Sequence, residues 1–383
     1  MIQFGSMSIT LLIGALFGLL IASLLWFSPA NRRANRFLAL LLVVIVLRMF
    51  PYIIGYAGFY DAYPWLSFFP YNWSLAIGPL IYAHVRELSG QPLRPREAWH
   101  FVPVFVQAIY YTVIFAQPVA FKNDWDDTWE VPLIGPILVE LTFMSIGYYW
   151  WRSHQHYRRY QDWLATHHSQ LEEHRMDWFR HFLLALALTL VFWLAMVLID
   201  HWIMELDYFQ RFPFYVWLGL LVYYLGTEGY RHARHQFPVF GAIDPAPLAA
   251  RVPLPERPLP EPATRSEPDW PSRANAWRDR LVAAGWWRDP ELTLASLARK
   301  LGTNTTDLSK AINDGLGMNF NELINRLRVE AVSHKLIDTP ESGLLDLALE
   351  CGFSSKASFN RCFKRYTGLT PSAYRDAAQR QAE

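Results

Sequence analysis

The sequence predicts an all-α protein in two parts: a seven-helix transmembrane bundle, followed by a compact domain of two helix-turn-helix units. Three observations predict it. Before about Tyr230 the chain is dense in Leu, Ile, Val, Phe, Trp and Tyr, and seven stretches approach the ~20 apolar residues that cross a bilayer. After that point the composition becomes that of a soluble protein. Near the C-terminus a helix, Gly turn, helix pattern occurs twice. Hydrophobic residues make up 52% of the 383 and charged residues 18%, a bias toward membrane even when averaged over both parts. Net charge is +1, so any footprint for nucleic acid has to be local.

The predicted spans are 9–27, 37–58, 73–85, 101–118, 134–151, 182–199 and 213–230. Pro51 and Pro79 fall inside spans, which a membrane bundle tolerates because neighbouring helices re-satisfy the freed backbone. Orientation follows from Lys and Arg in the short loops. Arg32, Arg33 and Arg36 follow span one, Arg86, Arg94 and Arg96 span three, and Arg152, Arg158, Arg159, Arg175 and Arg180 span five. Arg231 and Arg234 follow span seven. The alternate loops are acidic instead, with Asp61, then Asp124, Asp126, Asp127 and Glu130, then Asp200, Glu205 and Asp207. The N-terminus is expected outside and everything after span seven in the cytoplasm. The first span lacks a basic stretch before it, which argues against a cleaved signal peptide.

Residues 1–235 thus read as a seven-span domain suited to sensing, 236–273 as a linker and 274–383 as the second domain. Ten prolines fall between Pro238 and Pro271. They remove donors and disfavour helix, so the linker is expected to be an extended tether reaching on the order of 100 Å at ~3.1 Å per residue.

In the second domain Leu294, Leu297, Ala298 and Leu301 recur at three- and four-residue steps, one face of a helix. Gly302 breaks the pattern, Asn304 is placed to cap, and a second helix follows with Leu308 and Ile312 inward. The pattern returns with Leu344, Leu345, Leu347 and Ala348, a turn at Cys351, Gly352 and Phe353, a cap at Ser354, and a helix with Phe359 and Phe363 inward. Between the units a helix over 319–338 has Phe320, Leu323, Ile324, Leu327, Ala331 and Leu336 on its expected buried side, and Asn319 with Glu322 as a capping pair. About 20 residues at 1.5 Å each span ~30 Å, close to the ~34 Å repeat of duplex DNA. From Cys351 to Arg375 there is no Asp or Glu, but there are Lys356, Arg361, Lys364, Arg365 and Arg375. That is the charge expected of a helix against phosphate and base. The outward DNA-binding candidates are Thr306, Ser309 and Lys310 in the first unit and Ser355, Lys356, Asn360 and Arg361 in the second. Lys310 and Arg361 are the expected direct readers, while Lys364 and Arg365 are expected on phosphate.

The run Cys351–Gly352–Phe353, with Ser358–Phe359–Asn360–Arg361–Cys362–Phe363–Lys364–Arg365 and Thr367–Gly368–Leu369–Thr370–Pro371–Ser372–Ala373–Tyr374–Arg375, closely resembles the C-terminal signature of the AraC/XylS family of bacterial transcription regulators. Arg328 also matches a family position. The resemblance covers residues 292–375 and implies a seven-helix fold, two recognition helices and RNA polymerase as a partner. By position it places base contacts at Thr306, Ser309, Lys310, Lys356, Ala357 and Arg361, although Ala357 departs from the polar residue often found there. Seven spans stand where the family usually has a soluble sugar-binding domain, which resembles its membrane-bound members.

Arg48 in span two and Glu140 in span five are charges at membrane depth, where charge is paired or functional. An Arg48–Glu140 pair beside Gln107 is the expected ligand pocket. Six histidines from His154 to His181 read as a solvated basic loop. No nucleophile elbow, P-loop, dinucleotide fingerprint or metal box occurs, so neither an enzyme nor a cofactor is expected. The reading is a regulator in the bacterial inner membrane that binds double-stranded DNA and answers an unidentified signal ligand, with a homodimer one arrangement allowed. Two alternatives are a passive anchor released by proteolysis of the linker and a transporter-like membrane part with an appended regulator.

Overall fold

The computed structural model describes residues 2–169, 177–235, 237–241, 269–339 and 341–382. It divides into two compact units, one from Met1–Arg158 with Met176–Val239, the other from Arg159–Arg175 with Phe240–Glu383. Most of the expected linker lies outside the described residues, as do His174 and Arg175. All described elements are helical, with one isolated antiparallel bridge between His168 and Thr293.

The first unit comprises α1 (Ser6–Trp26), α2 (Arg32–Tyr56), α3 (Phe59–Ala62), α4 (Ile77–Leu88), α5 (Val102–Phe115), α6 (Val119–Trp125), α7 (Gly135–His167) as far as Arg158, α8 (Asp177–Trp202) and α9 (Phe212–His232). A π-helical stretch, Asp126–Ile134, joins α6 to α7. Five helical stretches are long and apolar enough to cross a bilayer: Ser6–Trp26, Arg32–Tyr56, Pro95–Phe115, Val119–His167 and Trp178–Trp202. The third and seventh expected spans are not among them. α4 has only 12 residues, ~18 Å of rise, and nearly every side chain from Gly78 to Val85 is buried among its neighbours. α9 has 21 residues, but Tyr223, Tyr224, Thr227, Glu228 and Arg231 dilute its apolar character.

α1, α2 and α9 form the densest part, with Leu25, Leu38, Leu41, Leu42 and Leu225 fully buried. Gly18 permits the approach. A Cβ there would meet Val222 Cγ1 at 2.5 Å and Val46 Cγ2 at 2.9 Å, so α1 packs with backbone where other helices use side chains. α5, α7 and α8 instead leave apolar faces open: Phe105, Val106 and Ile109, then Ile137, Leu141 and Met144, then Leu184, Leu188 and Val191. Contiguous exposed apolar surface of this kind marks contact with lipid or a partner rather than water.

The second unit comprises α10 (Trp270–Ala283), α11 (Leu294–Leu301), α12 (Thr305–Lys310), α13 (Phe320–Asp338), α14 (Leu344–Glu350), α15 (Lys356–Thr367) and α16 (Pro371–Ala382). Pro271, the last proline of the expected linker, sits in the first turn of α10, where a missing N–H costs nothing. α12 continues into a π-helical turn, Ala311–Gly315. One core includes Leu297, Leu301, Leu308, Ile312, Phe320, Ile324, Val332, Leu347, Phe353, Phe359 and Phe363. The rings of Phe353, Phe359, Phe363 and Tyr374 follow one another at 5.4, 5.5 and 5.3 Å. Two details differ from the periodicity. Leu345 is exposed, because α14 is short and turns only Leu347 and Ala348 inward. α13 buries Asn321, Asn325, Arg328, Val329 and Val332 as well, and leaves Leu327 and Ala331 only partly covered. A helix with neighbours on several sides buries more than one stripe.

Candidate nucleic-acid interface and membrane cavity

The first helix-turn-helix is α11 and α12. Thr293 caps α11, its hydroxyl accepting from the Ser296 N–H at 3.1 Å while the Ser296 hydroxyl accepts from the Thr293 N–H at 3.0 Å. The turn follows because Gly302 takes φ of 73°, a left-handed value that ends α11. Asn304 then caps α12, its side-chain oxygen accepting from the Asp307 N–H at 2.8 Å. With Leu308 and Ile312 pinned in the core, Thr306 and Lys310 are exposed and Ser309 half-buried. Asn313, on the same helix, is exposed and donates weakly to the Ser309 hydroxyl at 3.4 Å. Nothing in the sequence pattern set Asn313 apart from an ordinary surface residue.

The second is α14 and α15. The cap of α15 is Ser355, one residue later than the sequence pattern suggests, its hydroxyl accepting from the Ser358 N–H at 3.3 Å. Ser355 is therefore engaged in capping, although it was expected to face DNA, and Ser358 is turned into the core. Lys356, Ala357, Asn360, Arg361 and Lys364 are exposed along α15. Arg365 is exposed but reaches Glu322 on α13 at 3.3 Å, next to a hydrogen bond from the Tyr366 hydroxyl to the Glu322 carbonyl at 3.3 Å. A phosphate at Arg365 would have to compete with that exposed ion pair, which is worth well under ~1 kcal/mol. The two faces differ in charge: α12 and its extension carry Lys310 against Asp307 and Asp314, whereas α15 carries four basic residues and no acid.

α13 also ties down the loop before α11, through a residue the periodicity places among apolar neighbours. Arg328 is 1% exposed. Its Nε donates to the Trp287 carbonyl at 2.9 Å, and an Nη donates to the Asp289 carbonyl at 2.8 Å and to the Ser169 hydroxyl at 3.4 Å. Burial pushes its pKa down to about 10, which still leaves it protonated at neutral pH. Burial likewise raises the Cys351 and Cys362 thiols, so both remain protonated and unreactive. Ser169 is buried on the same surface. Its N–H donates to the Leu292 carbonyl at 3.3 Å, and Asn321 Nδ2 donates to the carbonyls of His168 and Ser169 at 3.1 and 2.8 Å. Sequence reading had placed this segment in a solvated loop.

In the first unit the expected Arg48–Glu140 pair does not form. On α7 the inward residues are Thr142, Ile146 and Tyr149, and Glu140 lies on the exposed side with Ile137, Leu141 and Met144. Two residues are ~200° of helix, so Thr142 and Glu140 cannot face the same way. Arg48 instead lines cavities with Tyr111 and Tyr215. Gln107 is buried, accepts from the Leu75 N–H at 3.3 Å and donates to the Ser74 hydroxyl at 3.4 Å. Ser74 in turn pairs with Thr142 at 3.1 Å and lines a cavity of about 60 Å³ with Arg48. Arg48 and Gln107 thus share one polar cluster through Ser74, without Glu140.

Residues 297–377 match the helix-turn-helix domain family. An uncharacterised HTH-type transcriptional regulator of Staphylococcus aureus (strain COL) is 40% identical over 85 residues, 22% of this chain and 11% of that protein. The probable transcription factor PqrA of Proteus vulgaris is 29% identical over 89 residues, 23% of this chain and 72% of that protein. A solved structure of a protein of unknown function from Listeria innocua is similar over 26% of this chain and 94% of its own, at 26% identity and a TM-score of 0.24. The chain therefore spans about a tenth of the length of the Staphylococcus regulator it matches. Residues 297–377 thus match an AraC-type helix-turn-helix domain, and the chain is similar over 85 to 89 residues to parts of transcription regulators.

Proposed function

We propose that this chain is a membrane-embedded, one-component transcription regulator of a bacterial inner membrane. It binds double-stranded DNA through α12 and α15, with the N-terminus outside and the second unit in the cytoplasm. The observation that carries this reading is the pair of capped helices that turn Lys310 and Arg361 outward from one core, in a chain whose other unit has five helices apolar enough to span a bilayer. α13, with 19 residues and ~28 Å of rise, is long enough to set the two helices about one turn of duplex apart. Loop charge supports the orientation.

Operator fragments found by mapping genome occupancy allow the test. Arg361→Ala is expected to weaken binding by ~1–3 kcal/mol and relax specificity at one base pair, and Lys310→Ala to do the same at another. Lys364→Ala is expected to weaken all sequences alike and reduce the salt slope by about one. Full binding and specificity in Arg361→Ala would remove α15 as a reader.

In this reading a signal sensed by the first unit passes along the chain where it crosses between the units, within α7, before α8 and after α9. Within the second unit His168 and Ser169 dock on α13 through Asn321. Asn321→Ala is expected to speed amide exchange at Ser169 by about tenfold while operator binding persists. Unchanged exchange at Ser169 would show that Asn321 does not hold the segment.

A further inference from the structure

Among the described residues Arg48 has no carboxylate partner in the interior of the first unit. The acids around it are committed elsewhere. Asp200, which lines a cavity with Arg48, takes two hydrogen bonds from Arg211 at 3.0 and 3.2 Å and one from the Leu206 N–H at 2.7 Å. Glu130 accepts from the hydroxyls of Tyr110 and Tyr111 at 2.5 and 3.2 Å. The groups that line cavities with Arg48 include the phenols of Tyr111 on α5 and Tyr215 on α9. An uncompensated charge at such a place is costly, and such charges usually mark where a ligand or ion is held.

Arg48 also stands where three cavities meet. One, of about 60 Å³, is almost wholly apolar, walled by Ile45, Ile146, Leu186, Leu190, Trp193 and Leu221. A second, of about 190 Å³, is aromatic and polar, with Tyr60, Phe69, Tyr71 and Asn72 around it. Phe68 at its wall holds φ of 62°, a left-handed backbone that a bulky residue rarely adopts. Functional sites are where such strain collects. The third, of about 60 Å³, holds the Asp200–Arg211 pair.

We propose that Arg48 is the anchor for an amphipathic monoanion, its carboxylate-like head on the guanidinium and its apolar tail in the cavity lined by Ile45, Leu190 and Leu221. The planar guanidinium matches a two-oxygen anion through parallel hydrogen bonds. A single positive charge balances a single negative one, whereas a phosphate dianion would bring a new uncompensated charge into the bundle. The tail cavity has only Ser74, Thr142 and Thr189 to offer polar contact besides Arg48, so a sugar or peptide finds little there. This deepens the proposal that the first unit is a sensor, and rests on it for its biological meaning.

The test uses the full chain in phosphatidylcholine nanodiscs and saturable binding of radiolabelled dodecanoate. Unlabelled dodecanoate is expected to compete, and dodecanol, hexanoate and dodecyltrimethylammonium to compete at least about tenfold less well. Arg48→Gln is expected to lose at least about tenfold in affinity, and Leu190→Trp to weaken binding by filling the tail cavity. Equal competition by dodecanol, or full affinity in a folded Arg48→Gln, overturns the proposal. If Arg48→Gln does not fold, Leu190→Trp decides, and undiminished binding overturns it. Nanodiscs containing phosphatidylglycerol separate two sources of the same head chemistry. Displacement of dodecanoate assigns the site to a lipid phosphodiester, and its retention assigns it to a free carboxylate. Operator affinity is measured in the same samples. Saturable binding with no effect on operator affinity keeps the site and removes the sensor reading, while absent binding with intact operator affinity removes the site and leaves the regulator.

Discussion

Replacing Arg328 by alanine is expected to destabilise the second unit by about 3–5 kcal/mol. The reason is what the substitution leaves behind. Arg328 is 1% exposed and donates to two carbonyls, those of Trp287 and Asp289. Truncation leaves both oxygens without these donors, at about 1–3 kcal/mol each, and opens a void beside the Phe353 ring, which the guanidinium carbon approaches to 6.0 Å. Arg328→Lys keeps the charge but not the fork. It is expected to recover less than half the loss, because one ammonium on a flexible stem cannot hold two diverging carbonyls as a planar guanidinium does. Arg328→Met, similar in length and uncharged, separates packing from hydrogen bonding. If Met restored full stability, the carbonyl bonds would be incidental and the stem alone would matter. Amide exchange across α13 and α15 in the full chain is the suitable measurement, since it reports this unit without contribution from the other.

Gly352→Ala is expected to cost about 3 kcal/mol or more, and Gly302→Ala only about 1–2. Both glycines make the turn of a helix-turn-helix unit and both have positive φ, 84° and 73°. A Cβ at Gly302 meets nothing within 4 Å, so alanine there pays only for its left-handed backbone. A Cβ at Gly352 would lie 2.5 Å from the Arg288 carbonyl oxygen, 2.8 Å from its carbon and 2.9 Å from its Cα. Those are backbone atoms and cannot swing aside. They also lie between Trp287 and Asp289, the carbonyls that Arg328 holds, so relief of the clash would disturb the same loop. Thermal unfolding of the two variants side by side checks the difference. Equal destabilisation would mean that the loop around Arg288 yields easily, and that the second turn is no more constrained than the first.

Most caps and turns of the helix-turn-helix part were legible in the sequence, the cap of α15 to within a residue. Its signals are local. Asn304 and the Asn319–Glu322 pair cap helices three residues away, the Leu294–Leu301 stripe repeats within two turns, and Gly302 and Gly352 act on their own backbone. An error of one residue, Ser354 for Ser355, reflects two adjacent residues of equal capping ability. The exposed reading faces followed as well, because fixing Leu308 and Ile312, or Phe359 and Phe363, inward leaves no other side for Lys310 and Arg361.

Composition and local periodicity determined that the chain has an apolar helical part and a separate helix-turn-helix part, since both depend on sums or short periods along the chain. Tertiary structure alone decided which distant groups meet. Arg328 finds carbonyls 41 and 39 residues away, Arg365 finds Glu322 43 residues away, and Ser169 docks on Asn321 from 152 residues away. It also turned Glu140 away from Arg48 and shortened the third expected span to a buried 12-residue helix. The physical reason is angular. Each residue turns a helix by about 100°, so whether two side chains meet depends on the rotation of each helix about its own axis. Packing sets that rotation once all neighbours are in place.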